Sequence, residues 1–243
     1  MSSSHAELHY NGQVYSLPLL MGTEMEPAVD ISRLRDDTGL VTLDIGYKNT
    51  GATKSKITFI DGDAGVLSYR GYPIEQLAAN SSFMEVSYLL LYGELPTMSQ
   101  LEDFNHSITH RTLVHENIKK FLDAYPASTH PMGVLMSTIA SLSSFYPNSL
   151  IADRPMAELD RTYHRLIAKM ATIAAWTYKK SLGHPYMYPN NKLDYVSNFL
   201  QMMFGHRTDE YIADPVVVAA LNKLLILHAD HEQNCSASTV RLV

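Results

Sequence analysis

Residues 228–232 read His-Ala-Asp-His-Glu, placing two imidazoles and two carboxylates in five positions at the end of the apolar run VVVAALNKLLIL. Such groups ligate metals, transfer protons or hold a polar substrate, and spacing discriminates among the three. A helical zinc hydrolase needs histidines four apart with a glutamate beside the first. Here His228 and His231 are three apart and Glu232 follows the second. In the HxHxDH metal loop a histidine would stand where Ile226 does, and that loop follows a strand, whereas the residues before His228 repeat as a helix. No metal is therefore expected. Cys235 lies four residues after His231 and could pair with it as a nucleophile, but reactive thiols favour helix starts, and this one falls within or after a helical run. Neither GxGxxG nor GxxxxGK[ST] occurs, which leaves Rossmann chemistry and nucleotide hydrolysis without support.

Two readings of the cluster stay open. The histidines are hydrogen-bonded core groups at a helix end, or they line a polar pocket. Burying two histidines and two acids is costly unless they are partnered. Asn234, Ser236, Ser238 and Thr239 follow as neutral donors, with Arg241 as a fixed positive charge. That mixture suits a small ligand bearing carboxylates.

The elements that must position these residues are mainly helical. ELHY and QVYSL flank Asn11-Gly12, which predicts an N-terminal hairpin over residues 7–17, ended by Pro18. Between 42 and 70 the β-branched runs VTLDIGY, KITFI and GVLSY, separated by Gly and Asp, read as short strands or extended loops. After Pro73, IEQLA, FMEVSYLLLYG and LEDFNHSITHRTLVHENIKKFLDAY repeat apolar residues at helical spacing. Gly93 is placed to end one helix, and Thr97 with Gln100 to begin the next through a capping box. Residues 131–142 are apolar nearly all round, as in a helix at the middle of a bundle. Residues 158–182 and 215–228 supply two further helices, and 183–192 a loop. The expected organisation is a β-containing region over 1–70 followed by a helical domain over 71–243.

With 46% hydrophobic and 18% charged residues, the 243-residue chain can bury a sizeable core. A formal charge of -6 argues against nonspecific binding to nucleic acid. The single cysteine excludes an internal disulfide and any CxxC zinc framework, fitting the cytoplasm. No signal sequence is visible at the N-terminus, and no apolar run approaches the roughly 20 residues of a membrane span. No membrane association is expected.

Five segments together carry a resemblance: ITFIDGDAGVLSYRGYPIEQLA (57–78), EVSYLLLYGELPT (85–97), HPMGVLMSTIASL (130–142), YPNNKLDYVSNFLQMMFG (188–205) and LHADHEQNCSASTVRLV (227–243). In this order they resemble the citrate synthase family, and the N-terminal hairpin resembles its larger bacterial form. The resemblance implies the multi-helical large domain of that family, from a homo-oligomeric acyltransferase, dimer or hexamer. Such an enzyme condenses acetyl-CoA with oxaloacetate and water to give citrate and CoA, the entry step of the citric acid cycle. It also implies no bound cofactor, acetyl-CoA being a substrate. Residue by residue, His231 resembles the histidine that holds an oxaloacetate carboxylate, and Asn234 a neighbouring substrate-binding residue. Ser236 resembles a support for the enol-stabilising histidine, and His228 a group that orients the pocket.

The family's GPxHGGAN-like segment, its second catalytic histidine, catalytic aspartate, oxaloacetate-binding arginines and most of the small CoA-binding domain have no counterpart in these residues. No catalytic residue is thus expected within this chain. In the family's order those groups are expected beyond Val243, and the isolated chain is expected to be inactive. The resemblance further implies an NADH-binding site drawing on His110, Arg111, Arg165 and Lys169, with His206, Arg207 and Thr208 in a loop that would alter it. A solvated charged face or a subunit contact is the plain alternative for those cations. Two other functional readings stay open: 2-methylcitrate synthase, using propionyl-CoA, and a noncatalytic helical scaffold for oligomerisation or ligand binding.

Overall fold

The computed structural model describes residues 5–22, 24–46, 48–51, 53–151, 153–232 and 235–242. The chain divides into two units, residues 1–56 and 57–243.

In the first unit, β1 (His5–Tyr10) and β2 (Gln13–Met21) pair antiparallel around Asn11 and Gly12, whose φ values of 49° and 76° give the left-handed turn that matches hairpin twist. Pro18 does not end β2. It sits opposite His5 at the end of the β1 ladder, and Leu19–Met21 then pair with β3 (Pro27–Val29). A proline is tolerated there because its carbonyl still accepts from the Asp30 N–H, at 2.8 Å. A short helix, α1 (Leu34–Thr38), ends at Gly39 in the left-handed conformation. Residues 41–46 form no strand. Instead the Asp44 carboxylate accepts from the Lys48 and Asn49 N–H groups, folding the segment back on itself.

The second unit opens with a three-stranded antiparallel sheet: β4 (Thr58–Asp61), β5 (Val66–Tyr69) and β6 (Tyr72–Pro73). It belongs to the same unit as the helices that follow. Helix α2 (Ile74–Asn80) starts directly after Pro73. Helix α3 (Phe83–Tyr92) carries a complete capping box from Ser82 and Glu85, and Gly93, at φ 94°, closes it. The Thr97–Gln100 box opens α4 (Met98–Thr109).

The expected helical run from 101 to 125 is broken. Helix α4 ends at Thr109, and α5 (Asn117–Asp123) begins eight residues later. The cause lies on the 26-residue helix α7 (Met156–Ser181). Its Lys169 amine donates to the carbonyls of Arg111 and Leu113, and its Thr172 hydroxyl donates to the Thr112 carbonyl at 2.8 Å. These side chains satisfy backbone acceptors that would otherwise need a continuing helix.

Helix α7 is the spine of the unit. Ile173 and Trp176 meet Ile118 and Leu122 of α5 and Val134 of α6 (Pro131–Ser141). Ala168 closes on Met84, Phe104 and Ile108, and Ala171 and Ala175 close on Met202 of α8 (Tyr195–Phe204). The small side chains allow this close approach. Lys179 is buried, and its ammonium donates to the Gly205 carbonyl (2.7 Å), a cation at the C-terminal end of α8. Helices α9 (Pro215–Leu227) and α10 (Cys235–Leu242) follow. Helix α6 differs from the expectation of a central, enclosed helix. Val134 and Thr138 are buried, whereas Met132 and Met136 are 56% and 70% exposed. Its apolar character wraps all round, but only one face meets α5 and α7. The chain is mainly α, and among the described residues no helix is long and apolar enough to cross a membrane.

Candidate functional site

Helix α9 begins by the rules: the Asp214 carboxylate accepts from the Val216 N–H at 2.8 Å, and Pro215 occupies the first turn. It ends at His228, whose N–H reaches the Leu224 carbonyl. The His228 ring bonds the same carbonyl through Nδ1 at 2.8 Å. A carbonyl only accepts, so Nδ1 carries the proton, and in the neutral ring Nε2 presents a lone pair outward. The His231 ring lies 5.7 Å from it, centroid to centroid, and both imidazoles are exposed.

Asp230 faces the other way. Its carboxylate accepts from the Thr58 hydroxyl on β4 and from the Glu232 N–H at 3.1 Å. These bonds fold a tight turn that leaves Glu232 at φ 61°, a conformation rare for a residue with a side chain. Asp230 is thus a structural acceptor, while both imidazoles are exposed to solvent. Below the turn lies Tyr69, fully buried at the end of β5, with Leu77, Val86, Leu89 and Ile226 around it. Its hydroxyl stands 3.2 Å from the Ile226 carbonyl and 3.1 Å from the Asp230 carbonyl. Burial raises its pKa, opposed in part by the backbone hydrogen bonds and reinforced by Asp230, so the phenol remains a donor. Ser236 is exposed near the start of α10. Asn234 and Val243 lie outside the described residues. Thr58 and Tyr69 are parts of this site that sequence reasoning missed. No local pattern marks them, since their partners lie more than 150 positions away.

A second polar cluster gathers where α4 breaks. The Arg165 guanidinium lies 4.0 Å from the Tyr146 ring centroid, and Lys169 Nζ lies 5.7 Å from the same ring. Arg111 donates through Nη1 to the Ser107 carbonyl (2.6 Å) and hydroxyl (2.8 Å). Among the described residues no carboxylate lies within ion-pair distance of Arg111, Arg165 or Lys169. Burial, then the charges of Arg165 and Arg111, push the Lys169 amine down to about 8. Its proton donors are directed at backbone carbonyls, so it fixes the path of residues 111–113 on which Arg111 is mounted. His110 caps α4, stacked 3.9 Å from His106 and bonded to the His106 carbonyl. Tyr146, Ser107 and His164, which contacts Ser107, belong to this neighbourhood as well and carry no mark in the sequence pattern. Three cations without a carboxylate partner among the described residues, backed by an aromatic face, form an arrangement that attracts anions.

The family model for the citrate synthase C-terminal domain matches residues 46–243. Citrate synthase 1 of Mycobacterium tuberculosis is 51% identical over 239 residues, covering 98% of this chain and 55% of that protein. Citrate synthase of Corynebacterium glutamicum is 48% identical over 243 residues, covering 99% and 55% respectively. Among solved structures, citrate synthase from Pyrobaculum aerophilum superposes with a TM-score of 0.70 at 31% identity, covering 90% of this chain and 51% of its own. A ternary complex of carboxymethyl coenzyme A and oxaloacetate with citrate synthase from Thermoplasma acidophilum gives 0.71 at 25% identity, covering 80% and 49%. The chain spans about half the length of the relatives it matches. With the family model covering most of its length, the chain belongs to the citrate synthase family.

Proposed function

We propose that the protein carrying this segment is a citrate synthase, an acyltransferase that condenses acetyl-CoA with oxaloacetate and water, and that His231 holds a carboxylate of oxaloacetate. The observation that carries this reading is the turn at His228–Glu232 in a chain of this family. Its Asp230 carboxylate is committed to Thr58 and the backbone, so two imidazoles face solvent from a braced loop. His228, with its proton fixed on Nδ1, orients the pocket, and Asn234 and Ser236 contribute neutral hydrogen bonds to substrate and to a neighbouring catalytic histidine. That histidine and the remaining acid/base groups belong to segments not contained in these 243 residues, so the segment alone is inactive. A single cysteine in 243 residues favours the cytoplasm.

The test is oxaloacetate-dependent release of thiol from acetyl-CoA by the purified full-length protein. Turnover is expected, and His231→Ala is expected to raise the oxaloacetate KM on the order of tenfold to a hundredfold, the loss of a hydrogen bond to a charged group. Absence of turnover overturns the reading, and faster turnover with propionyl-CoA reassigns the enzyme to 2-methylcitrate synthesis.

Two further properties belong to this proposal. The Arg111 and Arg165 guanidinium groups bind the diphosphate of NADH as a regulatory site, with Lys169 holding the path of residues 111–113 and adding its charge and His110 at the edge, because these cations lack a carboxylate partner among the described residues. The chain assembles as a dimer or hexamer, because α6 leaves Met132, Gly133, Met136 and Ala140 exposed on one apolar strip.

A further inference from the structure

The spacing that His228 and His231 lack occurs elsewhere in the chain. His106 and His110, in the stretch HSITH, are four apart, the separation at which two imidazoles share one face of a helix and hold one metal ion. Both belong to the C-terminal end of α4: His106 lies in its last turn and His110 is its cap. Both rings are exposed, and they stack with centroids 3.9 Å apart and planes 29° apart. In the zinc-hydrolase pattern a glutamate follows the first histidine. Ser107 stands in that place here, so the pair offers chelation without a general base.

Hydrogen bonding decides which nitrogens are available. His110 Nδ1 lies 2.8 Å from the His106 carbonyl oxygen. A carbonyl only accepts, so Nδ1 carries the proton and the lone pair is on Nε2, at the far side of the ring. Metal-ligating histidines give their other N–H to a backbone carbonyl in this way, which fixes both the tautomer and the ring plane. The Thr109 hydroxyl, 3.4 Å from the same nitrogen, has nearer acceptors in the Asn105 and His106 carbonyls at 2.9 and 3.1 Å. Among the described residues the His106 ring has no hydrogen-bond partner, so either of its nitrogens can face the ion.

The surroundings favour a cation. The last turn of a helix carries the negative end of its dipole. Glu102 and Asp103 are exposed one turn earlier, and Glu102 continues the row of 106 and 110 at the same four-residue interval. Neither carboxylate has an ion-pair partner among the described residues. The neighbouring Arg111 guanidinium is held on Ser107. Two metal–nitrogen bonds of about 2.0–2.1 Å set their nitrogens roughly 3 Å apart, a separation that two stacked rings reach by small side-chain rotations. No group of three or more metal-ligating side chains gathers among the described residues, so water completes the coordination.

We propose that His106 and His110 form a two-histidine chelate for a divalent ion of the Zn²⁺, Ni²⁺ and Cu²⁺ class, clamping the last turn of α4. Imidazole nitrogen suits these ions, whereas Mg²⁺ and Ca²⁺ take oxygen ligands. The chelate uses neither Arg165 nor Lys169 and stands independently of the diphosphate reading.

The test titrates Ni²⁺ alone into the full-length protein, free of any histidine tag, by calorimetry in a non-chelating buffer. A single strongest site per chain is expected. His106→Gln and His110→Gln are each expected to weaken it at least about tenfold, the scale on which metal sites answer the loss of even a supporting group. His184→Gln, taken from the ring pair with His206 at 5.4 Å, is expected to leave the affinity within about twofold. No binding of Ni²⁺, undiminished binding by either α4 variant, or a loss carried by His184→Gln overturns the proposal. Should an α4 variant fail to fold, Cu²⁺ added to the wild type decides. The ring-proton NMR signals of His106 and His110 are expected to broaden at the smallest additions, and earlier broadening at any other histidine overturns the assignment.

Discussion

The Tyr69 hydroxyl lies 3.1 Å from the carbonyl oxygen of Asp230, a residue 161 positions later, so a strand at the start of the second unit holds the turn that presents His228 and His231. Removing that hydroxyl by Tyr69→Phe keeps the ring packed against Leu77, Leu89 and Ile226 and deletes only the hydrogen bonds of the hydroxyl. The Asp230 carbonyl and N–H lose their partner while the Ile226 carbonyl keeps the Ala229 N–H, a loss of about 1–3 kcal/mol. In the full-length protein the variant is expected to unfold at lower urea concentration. Its oxaloacetate KM is expected to rise more than its kcat falls, since the turn loosens while the reacting groups remain. Unchanged KM together with the stability loss would reduce Tyr69 to a core residue.

The break between α4 and α5 yields a second prediction. Thr172 is fully buried and donates to the Thr112 carbonyl at 2.8 Å. Thr172→Val preserves the shape and removes the donor. A loss of about 1–2 kcal/mol is expected, with faster amide hydrogen exchange confined to residues 110–116. Uniform acceleration over the whole unit would instead mean that the valine disturbs the core around Ile173 and Trp176.

Those two bonds mark the boundary of what sequence pattern reveals. Asn11-Gly12, Gly93 and the Thr97–Gln100 box were legible because each is decided within four residues by backbone conformation and capping. Pattern also located α7 and α9 and singled out His228 and His231, but left open whether they are core groups or line a pocket. Pattern did not reveal that Lys169 and Thr172 would take the carbonyls of 111–113 and end α4, because the partners are nearly 60 positions apart. Nor did it show that the apolar surface of α6 would be left partly bare, since periodicity reports which residues are apolar and not what covers them. In the cationic cluster the charges were visible in the sequence, whereas the division of labour was not. Lys169 serves the backbone and Arg165 lies on Tyr146, an assignment that only packing makes.

That bare strip on α6 gives a third prediction. Met136 is 70% exposed and Met132 56%, and Gly133 and Ala140 lie along the same face. Methionines beside small residues on a helix make an adaptable apolar surface for a second helix. Met136→Lys places a charge there without touching Val134 or Thr138, which are buried on the opposite side. In sedimentation experiments on the full-length protein the variant is expected to give a smaller species than the wild type. An unchanged mass would show that the subunit contact lies elsewhere, with the exposed residues Val216, Leu224 and Leu227 of α9 as the next surface to substitute.

Lys169 gives a prediction in pH. Its folded pKa is about 8 against an ordinary 10.5, first because the amine is buried and then because Arg165 and Arg111 lie close. Below about pH 8 the amine is protonated in both folded and unfolded chains, and the cost of burying the charge, on the order of 3 kcal/mol, is fully present. Between about 8 and 10.5 the unfolded chain binds more protons than the folded one, so this residue's contribution to stability rises with pH across that window. Lys169→Met removes the titration but also leaves the carbonyls of Arg111 and Leu113 without their donor, an offset that does not vary with pH. The difference in unfolding free energy between wild type and Lys169→Met is therefore expected to move in favour of the wild type by about 1 kcal/mol from pH 8 to pH 9. Parallel curves for the two proteins would mean that the amine is not held in its charged form against burial. A bound anion shifts the window upward, because it stabilises the charged amine, so adding NADH is expected to flatten the wild-type curve over pH 8 to 9 and leave that of Lys169→Met nearly unchanged.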